Sequence, residues 1–181
     1  DTLTGGNNNP AGTADTLLGG GGNDLLRNTN TDRASGNAFI DGGAGFGQVI
    51  GREAMALGIE RARASGSCIV ALGNSHHLGR IGAWAEQAAA AGLVSLHFVN
   101  VIARAIVAPH GGADARFGTN PFCAGVPLSG RDPVILDFAT SVIAQGKTRV
   151  ALNKGELVPP DHLIDDQGRP TRMAGSVEDI T

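Results

Sequence analysis

GNSHHLGRIGAWAEQAAAAGLVSLHFVNV, residues 73 to 101, is the stretch that decides the fold class. Ile81 to Ala91 is rich in alanine and reads as a helix stopped by Gly92, and Leu93 to Val101 reads as an apolar strand. Upstream, Ser67 to Leu72 is a short continuous apolar run of the kind a buried strand shows. Before it, Ile50, Ala54 and Leu57, with Met55, Ile59 and Ala62, recur at helical spacing and predict a helix over 48–64 ended by Gly66. Helix and strand therefore alternate from 48 to 101, which points to a mixed, layered α/β arrangement. His76 and His77 fall on the loop that leaves a buried strand and enters a helix, where side chains are well placed to face a cleft.

The rest of the chain is less regular. Pro109, Gly111, Gly112, Gly118 and Pro121 mark a long loop. Phe122 to Val126 and Val134 to Phe138 read as strands joined around Ser129-Gly130, and 141–152 reads as a third helix. Asp165-Asp166-Gln167-Gly168 reads as a surface turn. Cys68 and Cys123 lie far apart in apolar surroundings, as two buried reduced thiols would. The net charge of −3 offers nothing to nucleic acid or to an anionic membrane. No apolar run reaches the roughly 18 residues needed to span a bilayer. With no initiating Met and no basic-then-apolar leader, the residues read as part of something longer.

Residues 1 to 36 have another composition: no Ile, Val or Phe, and Gly, Asn, Asp, Thr and Leu in their place. A boundary is placed near residue 37, with 1–36 as a Gly/Asn/Asp-rich, flexible arm and 37–181 as the globular part. Within the arm, Gly19-Gly20-Gly21-Gly22-Asn23-Asp24-Leu25-Leu26 matches G-G-x-G-x-D-x-U, and Asp15-Thr16-Leu17 and Asp1-Thr2-Leu3 echo its phase. The pattern resembles the calcium-binding nonapeptide repeats of repeats-in-toxin proteins. That resemblance implies a parallel β-roll in which Asp15 and Asp24, with turn carbonyls, hold calcium. Such a roll buries its core by stacking about three or more repeats, and here one full match stands beside two partial ones.

GGAGFG, residues 42 to 47, has the look of a nucleotide loop but lacks the third glycine of G-x-G-x-x-G, since position 48 is Gln, and no Lys-Ser/Thr pair follows. NAFID before it is too short and polar for a buried Rossmann strand, so the glycines read as a turn leading into the first helix. For the histidines, residue chemistry leaves three readings open. One is proton transfer near neutral pH. Another is a zinc ligand, disfavoured because adjacent side chains diverge and no acidic or Cys partner has suitable local spacing. The third, a structural histidine, is the commonest.

Several motifs occur in one order: NSHHLGRIGAWAEQAAAAGLVSLHFVNV, VAPHGG, RFGTNPFCAGVP, ILDFATSVIAQGKTRVALNKG and DDQGRPT. Together they resemble the malate/L-lactate dehydrogenase family, over about residues 45 to 171. The resemblance implies a non-Rossmann fold of the sulfolactate/malate dehydrogenase type, here incomplete, with 37–181 a partial dehydrogenase domain. It also implies hydride transfer between NAD or NADP and a 2-hydroxy acid or 2-oxo acid such as malate or lactate, a cytoplasmic location and a homodimer. The acid/base of the family's N-S-x-H-x-G motif falls on His77, with His76 at the variable position. Ser75 and the L-D-x-A-T-S residues Asp137, Phe138, Ala139, Thr140 and Ser141 are the implied cofactor contacts. Thr119 and Asn120 of the GTNP loop, Arg80 and Lys147 are candidates for substrate carboxylate or phosphate, each against a plain loop or solvated-surface role. The family's D-S-H-G motif is missing before Gly45, which leaves the implied active site incomplete. Two other readings therefore stand beside the dehydrogenase: an inactive fragment of one, and a calcium-binding secreted module led by the arm.

Overall fold

The computed structural model describes residues 2–5, 15–18, 25–28, 38–43, 45–102 and 105–174. Ten strands and three helices are seen among them. The strands β1 (Thr2–Gly5), β2 (Asp15–Leu18), β3 (Leu25–Asn28) and β4 (Ala38–Asp41) precede α1 (Gly47–Ser65). Next come β5 (Val70–Gly73), α2 (Gly82–Ala90), β6 (Ser95–Phe98), β7 (Phe122–Leu128) and β8 (Arg131–Phe138). The chain closes with α3 (Gln145–Lys154), β9 (Leu163–Ile164) and β10 (Pro170–Thr171). Sheet orders are β1-β3, β2-β4-β5, β6-β7-β8 and β10-β9. The fold is a mixed α/β one, as the alternation from 48 to 101 predicts.

The chain divides into two compact units. Unit 1 comprises Asp1–Ser95 with Gly125–Ile135. Its sheet β2-β4-β5 is parallel, with Asp15 opposite Ala38 and Ala38 opposite Val70. Helix α1 lies on this sheet. Ile40 from β4 and Ile50 and Ala54 from α1 form its core, with Leu57, Val70 and Leu72 packed around them. Ile50, Ala54 and Leu57 share one helical face, so the periodicity seen in the sequence is the packing seen here. The helix ends at Gly66, whose N–H donates to the Ala62 carbonyl at 2.8 Å. Two side chains tie α1 to the next helix: Gln87 Nε2 donates to the Arg52 carbonyl at 3.1 Å, and an Arg63 guanidinium N–H donates to the Ala91 carbonyl at 2.9 Å.

Unit 2 comprises Leu96–Ala124 with Leu136–Thr181. Phe98, Phe122 and Phe138 form an aromatic row with ring centroids 5.3 and 5.8 Å apart. The tilted and edge-on geometries are those that aromatic quadrupoles favour. Helix α3 is held at its end by Gly155 and buries Thr148, whose hydroxyl donates to the Gln145 carbonyl at 2.7 Å. The β9-β10 hairpin turns at Asp165, whose carboxylate accepts from the Gln167 and Arg169 N–H groups, both at 2.9 Å. Those bonds, the one from the Arg169 backbone first, hold the Asp165 carboxyl below the usual carboxylate range.

Four expectations need correction. Ala38–Asp41 of NAFID is a strand: β4 pairs on both sides, and Ala38 and Ile40 are among the most buried residues, at 3% and 2% exposure. Burial by neighbours on both edges overrides its short, polar-flanked composition. The third helix starts at Gln145, not 141, because Ser141 Oγ donates to the Ile143 carbonyl at 2.8 Å and Ala144 is extended; a serine hydroxyl bonded to nearby backbone competes with a helical turn. The strand expected over 93–101 is reduced to 95–98, since the Val101 N–H is taken by Asn120 Oδ1 at 2.9 Å. Cys123 is buried, but Cys68 is only half-buried; neither is in a disulfide. Burial pushes the Cys68 thiol up, against a smaller lowering by Arg61.

The core of unit 1 gives a direct test of this packing. Ile50→Ala, deleting buried methyl groups between α1 and β4, is expected to cost about 2 to 4 kcal/mol, read as a lower urea midpoint. Ile69→Ala, at a side chain 71% exposed, is expected to move it far less.

Candidate functional site

In unit 1 the candidate chemistry sits on residues 74–81, between β5 and α2. The segment turns sharply at both ends: Asn74 has φ 50° and Gly79 has φ 76°. The first is an uncommon conformation for a residue with a Cβ. His77 Nδ1 accepts the Gly79 N–H at 3.0 Å. That bond assigns the neutral ring its hydrogen on Nε2 and leaves this nitrogen for a ligand. His76 and His77 are both exposed. Ser75 Oγ donates to the His76 carbonyl at 2.8 Å, so its hydroxyl helps fold the loop. Arg80 is paired bidentately with Glu86, both N···O distances being 2.7 Å. Its guanidinium, by hydrogen bond first, holds the Glu86 carboxyl below its ordinary value.

The glycine turn beside this loop now has a reason. A Cβ on Gly47 would stand 2.4 Å from the His77 carbonyl oxygen and 2.5 Å from that of His76. The histidine-bearing backbone therefore lies directly against the first residue of α1. One turn further along the same face of α1, Gly51 meets the Trp84 ring edge, where an added Cβ would lie 3.0 Å from Cζ2 and 3.4 Å from Leu78 Cδ2. Trp84 Nε1 is buried without a hydrogen-bond partner among the described residues.

In unit 2, Asp137, Phe138, Ala139 and Ser141 line a cleft of about 580 Å³ together with Lys147. This lies within the usual range of ligand pockets. No side chain caps α3 at this cleft, and its first turn is electropositive. Thr140 does not line the cleft. It locks two loops together, with its Oγ1 donating to the Asn120 carbonyl at 3.0 Å and its N–H to the Thr119 carbonyl at 3.0 Å. Asn120 uses its side-chain oxygen on Val101, so Thr119, Asn120 and Thr140 form one braced corner. Among the cleft residues not singled out in the sequence, two are titratable, Glu156 and His162. His162 Nδ1 lies 2.7 Å from the Pro160 carbonyl and must donate to it, leaving Nε2 as an acceptor. The only signal for it was the Pro159-Pro160 pair, which fixes the chain just before it.

Asp24 lies outside the described residues, and Asp15 is described only as the first residue of β2. Among the described residues no group of three or more His, Cys, Asp or Glu is arranged to hold a metal ion. Nothing in the structure supports the calcium reading. No helix among those residues is long and apolar enough to cross a membrane.

The malate/L-lactate dehydrogenase family profile matches residues 18–180. The chain belongs to this family. Hydroxycarboxylate dehydrogenase B of Escherichia coli K12 is 61% identical over 132 residues, covering 73% of this chain and 37% of that protein. L-lactate dehydrogenase of Cupriavidus necator is 51% identical over 140 residues, covering 76% of this chain and 40% of that protein. The sulfolactate dehydrogenase structure from Methanocaldococcus jannaschii is 32% identical with a TM-score of 0.66, covering 80% of this chain and 44% of the other. The chain thus spans well under half the length of these malate/L-lactate dehydrogenase relatives. The fold is the one the motifs imply, and it is this family's own type.

His97, half-buried on β6, gives this part of the molecule a pH signature. Burial pulls its imidazole below the ordinary histidine value, against the attraction of the Asp137 carboxylate, which raises it. The folded chain then holds this proton less readily than the unfolded chain. Stability is therefore expected to fall as pH drops below the ordinary value of about 6.5, until the folded ring also titrates. Urea midpoints compared at about pH 7.5 and about pH 5 should show a smaller acid loss in His97→Gln than in the unaltered chain.

Proposed function

We propose that this chain carries hydride-transfer machinery of a nicotinamide-dependent 2-hydroxy acid dehydrogenase, acting on a small 2-oxo acid such as the keto forms of lactate or malate. The observation that carries the reading is His77: an exposed imidazole at a strand exit, oriented by the Gly79 N–H on its Nδ1. The activities for which the relatives are named, hydroxycarboxylate and L-lactate dehydrogenase, support the same chemistry.

The residues present fit a nicotinamide dinucleotide. The cleft in unit 2 offers a carboxylate, a hydroxyl and an ammonium in Asp137, Ser141 and Lys147. Asp137 can accept from ribose hydroxyls or an amide, Ser141 can donate, and Lys147 beside an uncapped helix start suits phosphate. When bound, the cofactor supplies the hydride added to carbon 2, or takes it away in the reverse direction. His77 handles the accompanying proton. In oxidation Nε2 takes the hydroxyl proton from the tautomer that carries its ring hydrogen on Nδ1, which requires the ring to give up its bond from the Gly79 N–H; in reduction the doubly protonated ring returns that proton from Nε2 to the carbonyl oxygen as the oxygen gains charge. Arg80 is the candidate for the substrate carboxylate. Its fork is engaged bidentately by Glu86, so a substrate carboxylate would have to exchange with that partner. Ser75 and the braced corner of Thr119, Asn120 and Thr140 shape the loops that carry these groups.

Turnover of the 181-residue chain with NADH and with NADPH, using pyruvate and oxaloacetate, tests this and reads out cofactor choice. Loss of reduced-nicotinamide absorbance is expected with one of the pairs. His77→Ala should lower the rate by about 10²- to 10⁴-fold, and His76→Ala should leave most of it. Equal behaviour of the two variants would move the assignment off His77. A folded chain that turns over neither cofactor would remove the activity and leave only kinship.

A further inference from the structure

We infer that Asp41 is a positioning residue for the His77 loop, an inference that rests on the reading of His77 given above. Asp41 is the last residue of β4 and stands opposite Gly73, the last residue of β5, in a parallel pair. Its Oδ1 accepts two hydrogen bonds at once, from the Gly43 N–H at 2.9 Å and from Asn74 Nδ2 at 3.1 Å. The backbone adds a third link between the strand ends, with the Gly42 N–H donating to the Gly73 carbonyl at 2.9 Å.

The Asn74 bond is the informative one. It joins residues 33 apart in sequence and grips the residue that opens the histidine loop. Asn74 stands at φ 50°, a conformation that Asn takes more readily than most residues with a side chain, and its amide is then within reach of Asp41. Three residues on, His77 takes its orientation from the Gly79 N–H, a bond that depends on the path the loop has followed from Asn74. Asp41 thus sets the exit direction, and Gly79 sets the ring. A carboxylate suits the task because its oxygens only accept, so a single oxygen can serve two donors without the amide flip open to Asn. Asp41 touches neither ring nitrogen. It acts through Asn74 and the strand pairing.

The test is the long-range proton–nitrogen spectrum of the five histidine rings in the 181-residue chain, which reads tautomer and environment at His77 without any turnover. Asp41→Ala is expected to move the His77 nitrogen resonances toward mixed tautomers while His162 stays in place, and Asp41→Asn, which keeps an acceptor oxygen, to restore most of the shift. Asn74→Gly tolerates the positive φ and removes only the side-chain bond; it should reproduce the Asp41→Ala spectrum even if that variant does not fold. Where turnover is measurable, both Asp41→Ala and Asn74→Gly should lower kcat by about 10- to 100-fold with little change in the KM for the cofactor. Unmoved His77 resonances in folded Asp41→Ala or Asn74→Gly, or equal shifts in Asp41→Ala and Asp41→Asn, would overturn the inference. Absence of turnover in the unaltered chain would instead count against the dehydrogenase reading and leave the spectrum to decide this one.

Discussion

The backbone of His76 and His77 lies so close to Gly47 that no side chain fits between them, and the architecture of unit 1 follows from that approach. It requires β4 and β5 to end level with one another, so that the loop after β5 and the turn after β4 meet. It also requires α1 to start immediately beneath the loop, which places two carbonyl oxygens near the electropositive end of a 19-residue helix. The helix must then lie back along the sheet, and the Ile40–Ile50–Ala54 core is what holds it there. Chemistry at the loop and stability in the core are in this way two ends of one helix.

Much of this was legible in the sequence, and the exceptions have physical causes. Helix α1 was expected over 48–64 and spans Gly47–Ser65, because three core positions repeat on one face and Gly66 stops it. The second helix and both strands of the β7-β8 pair were equally visible. Strand β4 was not, because its burial comes from neighbours on either edge and not from its own composition. The start of α3 was misplaced by a local bond from Ser141 that no periodicity reveals. At the site, His77 could be named from its motif, but Asp41 could not: its partner is 33 residues away and is brought to it only by the pairing of β4 with β5. Thr140 and Asn120 belong to two motifs that suggested ligand contact, and in the structure the Thr140 hydroxyl and the Asn120 side-chain oxygen are engaged in bonds to neighbouring backbone.

Unit 2 contributes a different kind of surface. Its cleft gathers an acid, a hydroxyl and an ammonium beside an uncapped helix start. Glu156 and His162, from the irregular segment after α3, complete the lining. The relatives the chain matches are nearly twice as long, and the described residues here include the histidine loop and this cleft.

Trp84 packs on Gly51 with Leu78, itself a residue of the histidine loop, against the same edge. It is the only tryptophan in the chain, and there is no tyrosine. The protein's intrinsic ultraviolet emission therefore comes from one indole seated against the loop. A change of loop packing would alter that indole's surroundings and so its colour and brightness, giving an optical gauge of the loop that needs no added label.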